Sequence, residues 1–303
     1  MNRPTLSIII LSYNTKNILR NCLMSLQAVK NEVKSECIVS DNGSTDNSPK
    51  MVKSNFPWVD KLIENRENVG FAKGNNLAKP FVRGKYVLFL NSDTIVYKDT
   101  LKKTVEYLGR HKDVGAITCK IQLPNGELDK DARRAFITPW IALSHIYLKL
   151  DRIFPKSKLF AKYWYGHIPE DKTHEVDVLQ GAFFMVKKKV LDEVEWFDED
   201  YFLDGEDIDL CWKMKEAGWK IVYYPEVKIT HIKGSSKGKV ESKNKRNIPL
   251  KLRLRHRMAG VDSMELFVRK RLWNRYPLPL LLFVILGIRL LKAIRLVRTV
   301  ILG

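Results

Sequence analysis

Tyr86-Val87-Leu88-Phe89-Leu90 breaks off into Asn91-Ser92-Asp93. Five apolar residues without alternation have the length and character of a strand buried on both faces. Open α/β sheets bind ligands at the carboxyl ends of such strands. A carboxylate there, flanked by small hydrogen-bonding side chains, suits a hard cation that holds a phosphate. The same residues also suit an Asx turn or the N-cap of a helix over 98–110. Further candidates are Asp41 at the head of Asp41-Asn42-Gly43-Ser44-Thr45-Asp46, the acids Glu206, Asp207 and Asp209 after Gly205, and His231. Taken singly they have plainer readings: a helix dipole favours acids in a first turn, and an isolated histidine is usually just hydrogen-bonded.

The elements that would position these groups alternate along the chain. Residues 6–11 and 36–40 are strand candidates ending in Ser12-Tyr13-Asn14 and in the Asp41 turn, and 59–63 is a weaker one. Apolar spacing predicts helices over 16–29, 48–55 and 100–110; another opens at 67–76 and runs to 82, and a strand over 114–120 follows. Such alternation predicts an α/β fold with a doubly wound, mostly parallel sheet flanked by helices. Three strands end in small polar turns, which this architecture gathers on one rim.

Farther on, Pro124-Asn125-Gly126 marks a hairpin turn. The stretch 136–168 is aromatic yet dotted with lysine, and reads either as core helices or as an interfacial or acceptor-facing insertion. Gly181, before the apolar run 183–186, marks a close backbone approach or a bulge. A helix is predicted from Gly205 to Gly218, with Asp209 paired to Lys213, then a strand over 219–224 ended by Pro225.

Apolar residues at 45% and charged residues at 29% are ordinary for a globular chain of 303 residues, but the charge is unevenly placed. From Lys233 onward 18 Lys and Arg face 3 acids, so this tail carries +15 of the net +19. Basic tails meet nucleic acid, anionic lipid or acidic partners. Four scattered cysteines argue against a zinc site or disulfide framework and fit a reducing compartment. With no signal peptide before the first strand, the cytoplasmic side is expected.

In order, Ser12-Tyr13-Asn14, the Asp41 turn, Asn68-x-Gly70-Phe71-Ala72-x-Gly74-Asn75-Asn76, Asn91-Ser92-Asp93, Gly205-Glu206-Asp207-x-Asp209, Gly218-Trp219 and His231-x-x-Gly234-Ser235 resemble one family. It is the family 2 glycosyltransferases with the GT-A fold, within them the rhamnosyltransferase-like branch. The resemblance implies a catalytic domain over 1–236 that transfers a sugar from a dTDP- or UDP-sugar, dTDP-rhamnose among them, to a lipid-linked or cell-surface saccharide. It implies that Ser12, Tyr13, Asn14 and Asp41 hold the nucleoside, and that Asn68, Gly70, Phe71 and Asn75 line the donor together with Asn91, Ser92 and Asp93. Asp93 and His231 match metal-site positions, Asp207 matches the catalytic base, and Gly181, Ala182 and Glu206 fall on the acceptor side. The expected ion is Mn2+ or Mg2+, with the imidazole favouring Mn2+. Two departures stand out: Asn91 replaces the first acid of Asp-x-Asp, and Asn75 replaces an Arg of the wider family, leaving Lys73 or a tail residue to neutralise the diphosphate.

The resemblance does not extend to 237–303. Residues 233–257, headed by Gly234-Ser235-Ser236-Lys237-Gly238, read as a mobile segment able to close over a diphosphate, or as a linker. Residues 248–272 read as an amphipathic helix. The uncharged run 277–288 is too short to span a bilayer, and Arg289, Lys292, Arg295 and Arg298 follow it at helical spacing. The tail is expected to lie in the plane of an anionic membrane on the cytoplasmic face, with Trp273 and Tyr276 at headgroup level. A docking helix in a homo-oligomer is the other reading. Long aliphatic runs with few aromatics disfavour nucleic acid as the partner. The alternatives are a nucleotidyl-transferring enzyme on the same scaffold and a nucleic-acid-binding protein using the tail.

Overall fold

The uninterrupted apolar runs become strands covered on both faces: Leu6, Ile9, Ile10, Val87, Leu88 and Phe89 are all fully buried. The structure, a computed structural model, describes residues 3–233 and 250–302. The first half contains β1 (Leu6–Ser12), α1 (Lys16–Val29), β2 (Ser35–Asp41), α2 (Ser48–Asn55), β3 (Lys61–Glu64), α3 (Phe71–Asn76), β4 (Tyr86–Asn91), β5 (Thr94–Val96), α4 (Thr100–Arg110) and β6 (Val114–Gln122). Then come α5 (Pro139–Ile141), α6 (Leu150–Ile153), β7 (His174–Glu175), β8 (Phe183–Lys187), α7 (Lys188–Glu193), α8 (Glu206–Glu216), β9 (Lys220–His231), α9 (Leu250–Phe267) and α10 (Leu278–Leu302).

One nine-stranded sheet runs β3-β2-β1-β4-β8-β6-β9-β5, with β7 also on β9. Strands β3, β2, β1 and β4 are mutually parallel, as are β6 and β9. Between them β8 is inserted antiparallel to both β4 and β6, and β5 returns antiparallel on β9. The sheet is therefore mostly parallel, as expected, but not a pure doubly wound one. Register does the positioning: Ser12 lies opposite Asp41, and Leu11 opposite Asn91, so three polar strand ends share one edge.

Three local expectations are corrected. Pro225 does not end its strand. β9 continues to His231, and its pairing jumps from Cys119–Tyr224 to Lys120–Lys228, so the bulge absorbs the proline. The helix expected to reach 82 stops at Asn76, and a separate single turn at Lys79–Phe81 carries Pro80 near its start, where a missing N–H costs nothing. Asp209 does not pair with Lys213, whose Nζ donates instead to the Trp196 carbonyl at 2.6 Å.

Asp209 is fully buried and bound by Arg271: Nε donates to Oδ1 at 2.7 Å, Nη2 to Oδ2 at 3.0 Å, and Tyr201 Oη donates at 3.2 Å. Lys270 donates to both Asp198 and Asp200 at 2.6 Å, and Phe267 packs edge-on against Trp212. The basic helix α9 and the turn after it are thus bolted to α8. In turn α10 lies on α9, with Arg289 on Glu265 and Lys292 on Asp262. The boundary placed at 236/237 and residues 234–249 of the segment expected over 233–257 lie outside the described residues, while its last part, 250–257, is helical and begins α9.

A buried carboxylate stripped of its cation is expensive. Arg271→Ala is expected to lower unfolding stability by about 3 kcal/mol, the low end of the range for buried pairs because Arg271 keeps 21% of its side chain exposed. Denaturant melts should show a lower midpoint, partly restored by adding Asp209→Asn.

Candidate active site

The β1–α1 turn is held against both neighbouring strand ends. Ser12 Oγ and Thr15 Oγ1 lie 3.0 Å apart, and Thr15 Oγ1 lies 3.3 Å from Ser92 Oγ, a hydroxyl chain from β1 to the end of β4. Asn14, at φ 53°, donates its N–H to Ser44 Oγ at 2.8 Å and accepts from Thr45 N at 2.7 Å. Tyr13 is half-buried between them. Asp41 is 2% exposed; Ser44 N donates to its Oδ2 at 2.8 Å, whereas Oδ1 is buried with no donor. Burial pushes its carboxyl above the ordinary value, against the hydrogen bonds from Ser44.

Asn42, which the residue patterns did not single out, clamps the next loop. Its Nδ2 donates to Asn68 Oδ1 at 2.9 Å and to the Gly70 carbonyl at 3.1 Å, and its Oδ1 accepts from Val69 N at 3.0 Å. Gly70 sits at φ 93°, where any Cβ would come within 2.5 Å of the Phe202 carbonyl, so only glycine fits. Phe71 N donates to that same carbonyl at 2.8 Å. Asn75 is buried and donates to the Phe71 carbonyl at 2.9 Å, holding α3. The Phe71 ring lies against Gly181, where a Cβ would sit 3.0 Å from it. Asn91 N donates to the carbonyl of fully buried Ala182 at 3.3 Å. The 181–182 backbone therefore joins the donor-side loops.

Asp93 and His231 meet because β5 and β9 pair with Thr94 opposite His231, and Ile232 N donates to the Asp93 carbonyl at 2.8 Å. His231 Nε2 lies 3.2 Å from Asp93 Oδ1, while Nδ1 lies 3.0 Å from Asp129 Oδ2. Asp129, like Asn42, was missed. The predicted hairpin turn at Gly126 brings it back, with Asp129 N donating to the Ile121 carbonyl at 2.8 Å, and Lys233 donates to its Oδ1 at 2.8 Å. Burial alone would depress the His231 imidazole, but the Asp129 and Asp93 carboxylates outweigh it and push it up to about 9. Burial would raise Asp129, and His231 and Lys233 overcome it, holding that carboxyl well below the usual range.

Both Asp93 carboxylate oxygens are buried and accept no well-formed hydrogen bond. A buried carboxylate paired with an imidazole whose other nitrogen is oriented by a second carboxylate is a set that fits a divalent ion, which would take the place of the Nε2 proton. Among the described residues no three candidate ligands cluster, so the protein would offer two and the bound phosphates and water the rest.

Asp207 opens α8, just after Gly205 at φ 98°, where a Cβ would meet Ser263 of α9 at 2.9 Å. Arg134 Nη2 donates to Asp207 Oδ2 at 2.6 Å and to the Leu179 carbonyl at 3.2 Å, and Ile208 N donates to Oδ1 at 2.8 Å. Burial pushes the Asp207 carboxyl up, and Arg134 pulls against it. Glu206 is buried beside it. Segment 179–182 therefore links the Arg134–Asp207 pair to the donor loops. Arg255 of α9 stacks 3.7 Å over Phe202, the residue that backs Gly70, so a cation of the C-terminal region lies next to this loop.

The chain is similar to N-acetylglucosaminyl-diphospho-decaprenol L-rhamnosyltransferase of Mycobacterium tuberculosis, 25% identical over 246 residues covering 77% of this chain and 78% of that one. Poly-beta-1,6-N-acetyl-D-glucosamine synthase of Staphylococcus aureus is 26% identical over 73% of this chain, which spans only 48% of that relative. A mannosyltransferase from Pyrobaculum calidifontis in complex with GDP-Man and Mn2+ superposes with TM-score 0.56 at 20% identity, over 99% of this chain and 74% of the other. TarS 1-349 of S. aureus in complex with UDP-GlcNAc gives 0.56 at 18%, over 87% and 65%. These likenesses establish a GT-A-like fold. The family described as glycosyltransferase like family 2 matches residues 4–249 and so takes in the donor rim, the Asp93–His231 pair and α8: the chain belongs to that family and is a glycosyltransferase.

Proposed function

We propose that this enzyme transfers a sugar, with inversion and with a divalent ion, from a pyrimidine diphospho-sugar (dTDP- or UDP-linked, rhamnose among the candidates) to a hydroxyl of a lipid-linked or cell-surface saccharide. The observation that carries it is the shared rim: a buried Asp41 oxygen lacking a donor and a buried Asp93 carboxylate lacking hydrogen bonds, on the edge where β1, β2 and β4 end. Asp41 Oδ1 supplies the acceptor that a pyrimidine ring N–H needs, and Gly70 lets the backbone approach the donor. Asp93 and His231 would hold Mn2+ or Mg2+, which when bound stabilises the leaving diphosphate as a Lewis acid. Among the described residues, Lys233 beside Asp129 and Arg255 over Phe202 are tail cations near enough to neutralise further phosphate charge. The rhamnosyltransferase relative, named for an acceptor on a decaprenol diphosphate, supports a lipid-linked acceptor.

Asp207 takes the acceptor proton. The acceptor hydroxyl must displace Arg134 from one Asp207 oxygen or share it, and attack then proceeds in a single displacement through an oxocarbenium-like state. Burial raises this carboxyl, and the Arg134 cation opposes it by favouring the ionised form until that moment. The working site is proposed to face the cytoplasm at the membrane surface.

Thermal shift against a panel of nucleotide-sugars, with and without Mn2+, tests the donor class. A pyrimidine diphospho-sugar should stabilise the protein and Mn2+ should enhance the effect; indifference to all of them overturns the reading. Asp207→Asn should lower kcat by about 10²–10⁴-fold while leaving donor affinity nearly unchanged. In Arg134→Gln the Asp207 carboxyl loses the charge that opposes burial, so it protonates at higher pH. The acid limb of kcat/KM is expected to move upward, and less so in Arg134→Lys. Asp93→Asn should abolish Mn2+ binding in the presence of UDP, and Asp129→Asn should weaken it by about 10–100-fold, read by calorimetry.

A further inference from the structure

The insertion after Phe136 and the C-terminal helix α10 lie far apart in sequence, yet they form one surface. Tyr147 Oη lies 3.4 Å from the position a Cβ would take on Gly287 of α10. Beneath the junction runs a ladder of rings, Phe136 on Trp212 and Trp212 on Phe267, against which Leu281 and Ile285 of α10 are buried. Outward, both elements present large apolar side chains to solvent: Phe283 is 74% exposed, Leu286 66%, Tyr147 69% and Ile153 66%. The insertion is neither all core nor all surface, since Ile141, Ala161 and Tyr165 are buried while the side chains on its other flank are bare.

The orientation of α10 is the telling feature. Its inward face is Leu281 and Ile285; Arg289 and Lys292 pair with Glu265 and Asp262 at the exposed flank, and Leu282, Phe283, Leu286, Leu290 and Val297 stay open to solvent. The helix thus buries one apolar stripe on the protein and leaves a second one bare. Among the described residues no helix is long and apolar enough to cross a bilayer. Residues 139–162 and 278–302 together hold nine Lys and Arg and one acid, Asp151, which lies 3.1 Å from His145. Broad apolar exposure with a basic surround and an aromatic fringe is the pattern of a protein lying in a headgroup interface.

We propose that α10 and the 139–160 insertion form a single in-plane membrane-contacting face that seats on a bilayer rich in anionic lipid. Charge decides between this occupant and a second copy of the chain. A two-fold pair would set the same patch against itself, and even with Arg289 and Lys292 paired to α9 carboxylates seven bases would face seven, whereas an anionic surface complements them. The inference deepens the proposed function, because Arg134, the partner of Asp207, lies two residues before Phe136 and a lipid-linked acceptor would arrive beside this face. It is tested by lipid binding, not by transfer, so either can fail alone.

The full chain is sedimented with vesicles of phosphatidylcholine alone and of phosphatidylcholine with 30% phosphatidylglycerol (an experimental choice of about one anionic lipid in three). Binding to the anionic vesicles is expected, with at least a tenfold loss on pure phosphatidylcholine or in high salt. The double variants Ile153→Glu/Phe154→Glu and Phe283→Glu/Leu286→Glu should each lose binding about tenfold or more, as exposed apolar anchors removed from one face. Because all four native cysteines are buried, Phe154→Cys offers a selective site for an environment-sensitive dye. Its emission should shift to the blue on anionic vesicles. Wild-type binding by the insertion variant, no dye shift, or a concentration-dependent dimer that both variants abolish without any vesicle binding would each overturn the proposal. If vesicle binding fails while transfer to a water-soluble acceptor persists, the proposed reaction stands without this face. Vesicle binding without transfer to any acceptor upholds the face and overturns the reaction.

Discussion

The chemistry of this protein depends on the parallel register of β2, β1 and β4. Strands buried on both faces admit few polar side chains and pair those they hold, as Ser7 with Glu36 and Ser40 with the Gly74 carbonyl, so polar groups open to a ligand gather where the strands run out. Pairing Ser12 with Asp41 and Leu11 with Asn91 makes the three ends coincide. A slip of one residue in either pair would move a polar group into the core and separate the β1, β2 and β4 turns. Everything at the rim follows from that alignment: the hydroxyl chain through Thr15, the clamp made by Asn42 and the backbone approach at Gly70.

A second constraint is charge kept out of water. Asp93, Asp129, Asp207, Asp209 and His231 are all buried, and a buried charge persists only beside a partner. Asp209 has Arg271, Asp129 has Lys233 and His231, and Asp207 has Arg134. Asp93 has the His231 imidazole at 3.2 Å, but neither of its buried oxygens accepts a well-formed hydrogen bond, so it is the least satisfied of these carboxylates. The pairs differ in purpose. Arg271 anchors α9 to α8 away from the rim, whereas Arg134 pairs with the carboxylate proposed as the base.

The anchoring also makes the C-terminal helices part of the catalytic architecture. Ser263 Oγ donates to the Leu203 carbonyl at 3.3 Å and abuts Gly205, the residue that opens α8, and Arg255 stacks on Phe202, which backs Gly70. Motion of α9 on its anchor would therefore reach both the start of α8, with Asp207, and the loop at Gly70 through direct contacts. Since α10 rests on α9 through Glu265 and Asp262, the outer surface and the active site are mechanically close.

The residues alone revealed the strands, their polar endings and the helix opened by Gly205, because hydrophobic period and end composition are local properties. They also revealed the uneven charge. They did not reveal that β8 would enter antiparallel between β4 and β6, or that β9 would run on past Pro225, because both depend on which neighbour a strand finds. The supporting partners were equally hidden: Arg134 lies 73 residues from Asp207, Asp129 102 residues from His231, and Arg271 62 residues from Asp209. No spacing rule covers such distances, and only the folded chain, by removing each carboxylate from water, decides which cation it must meet.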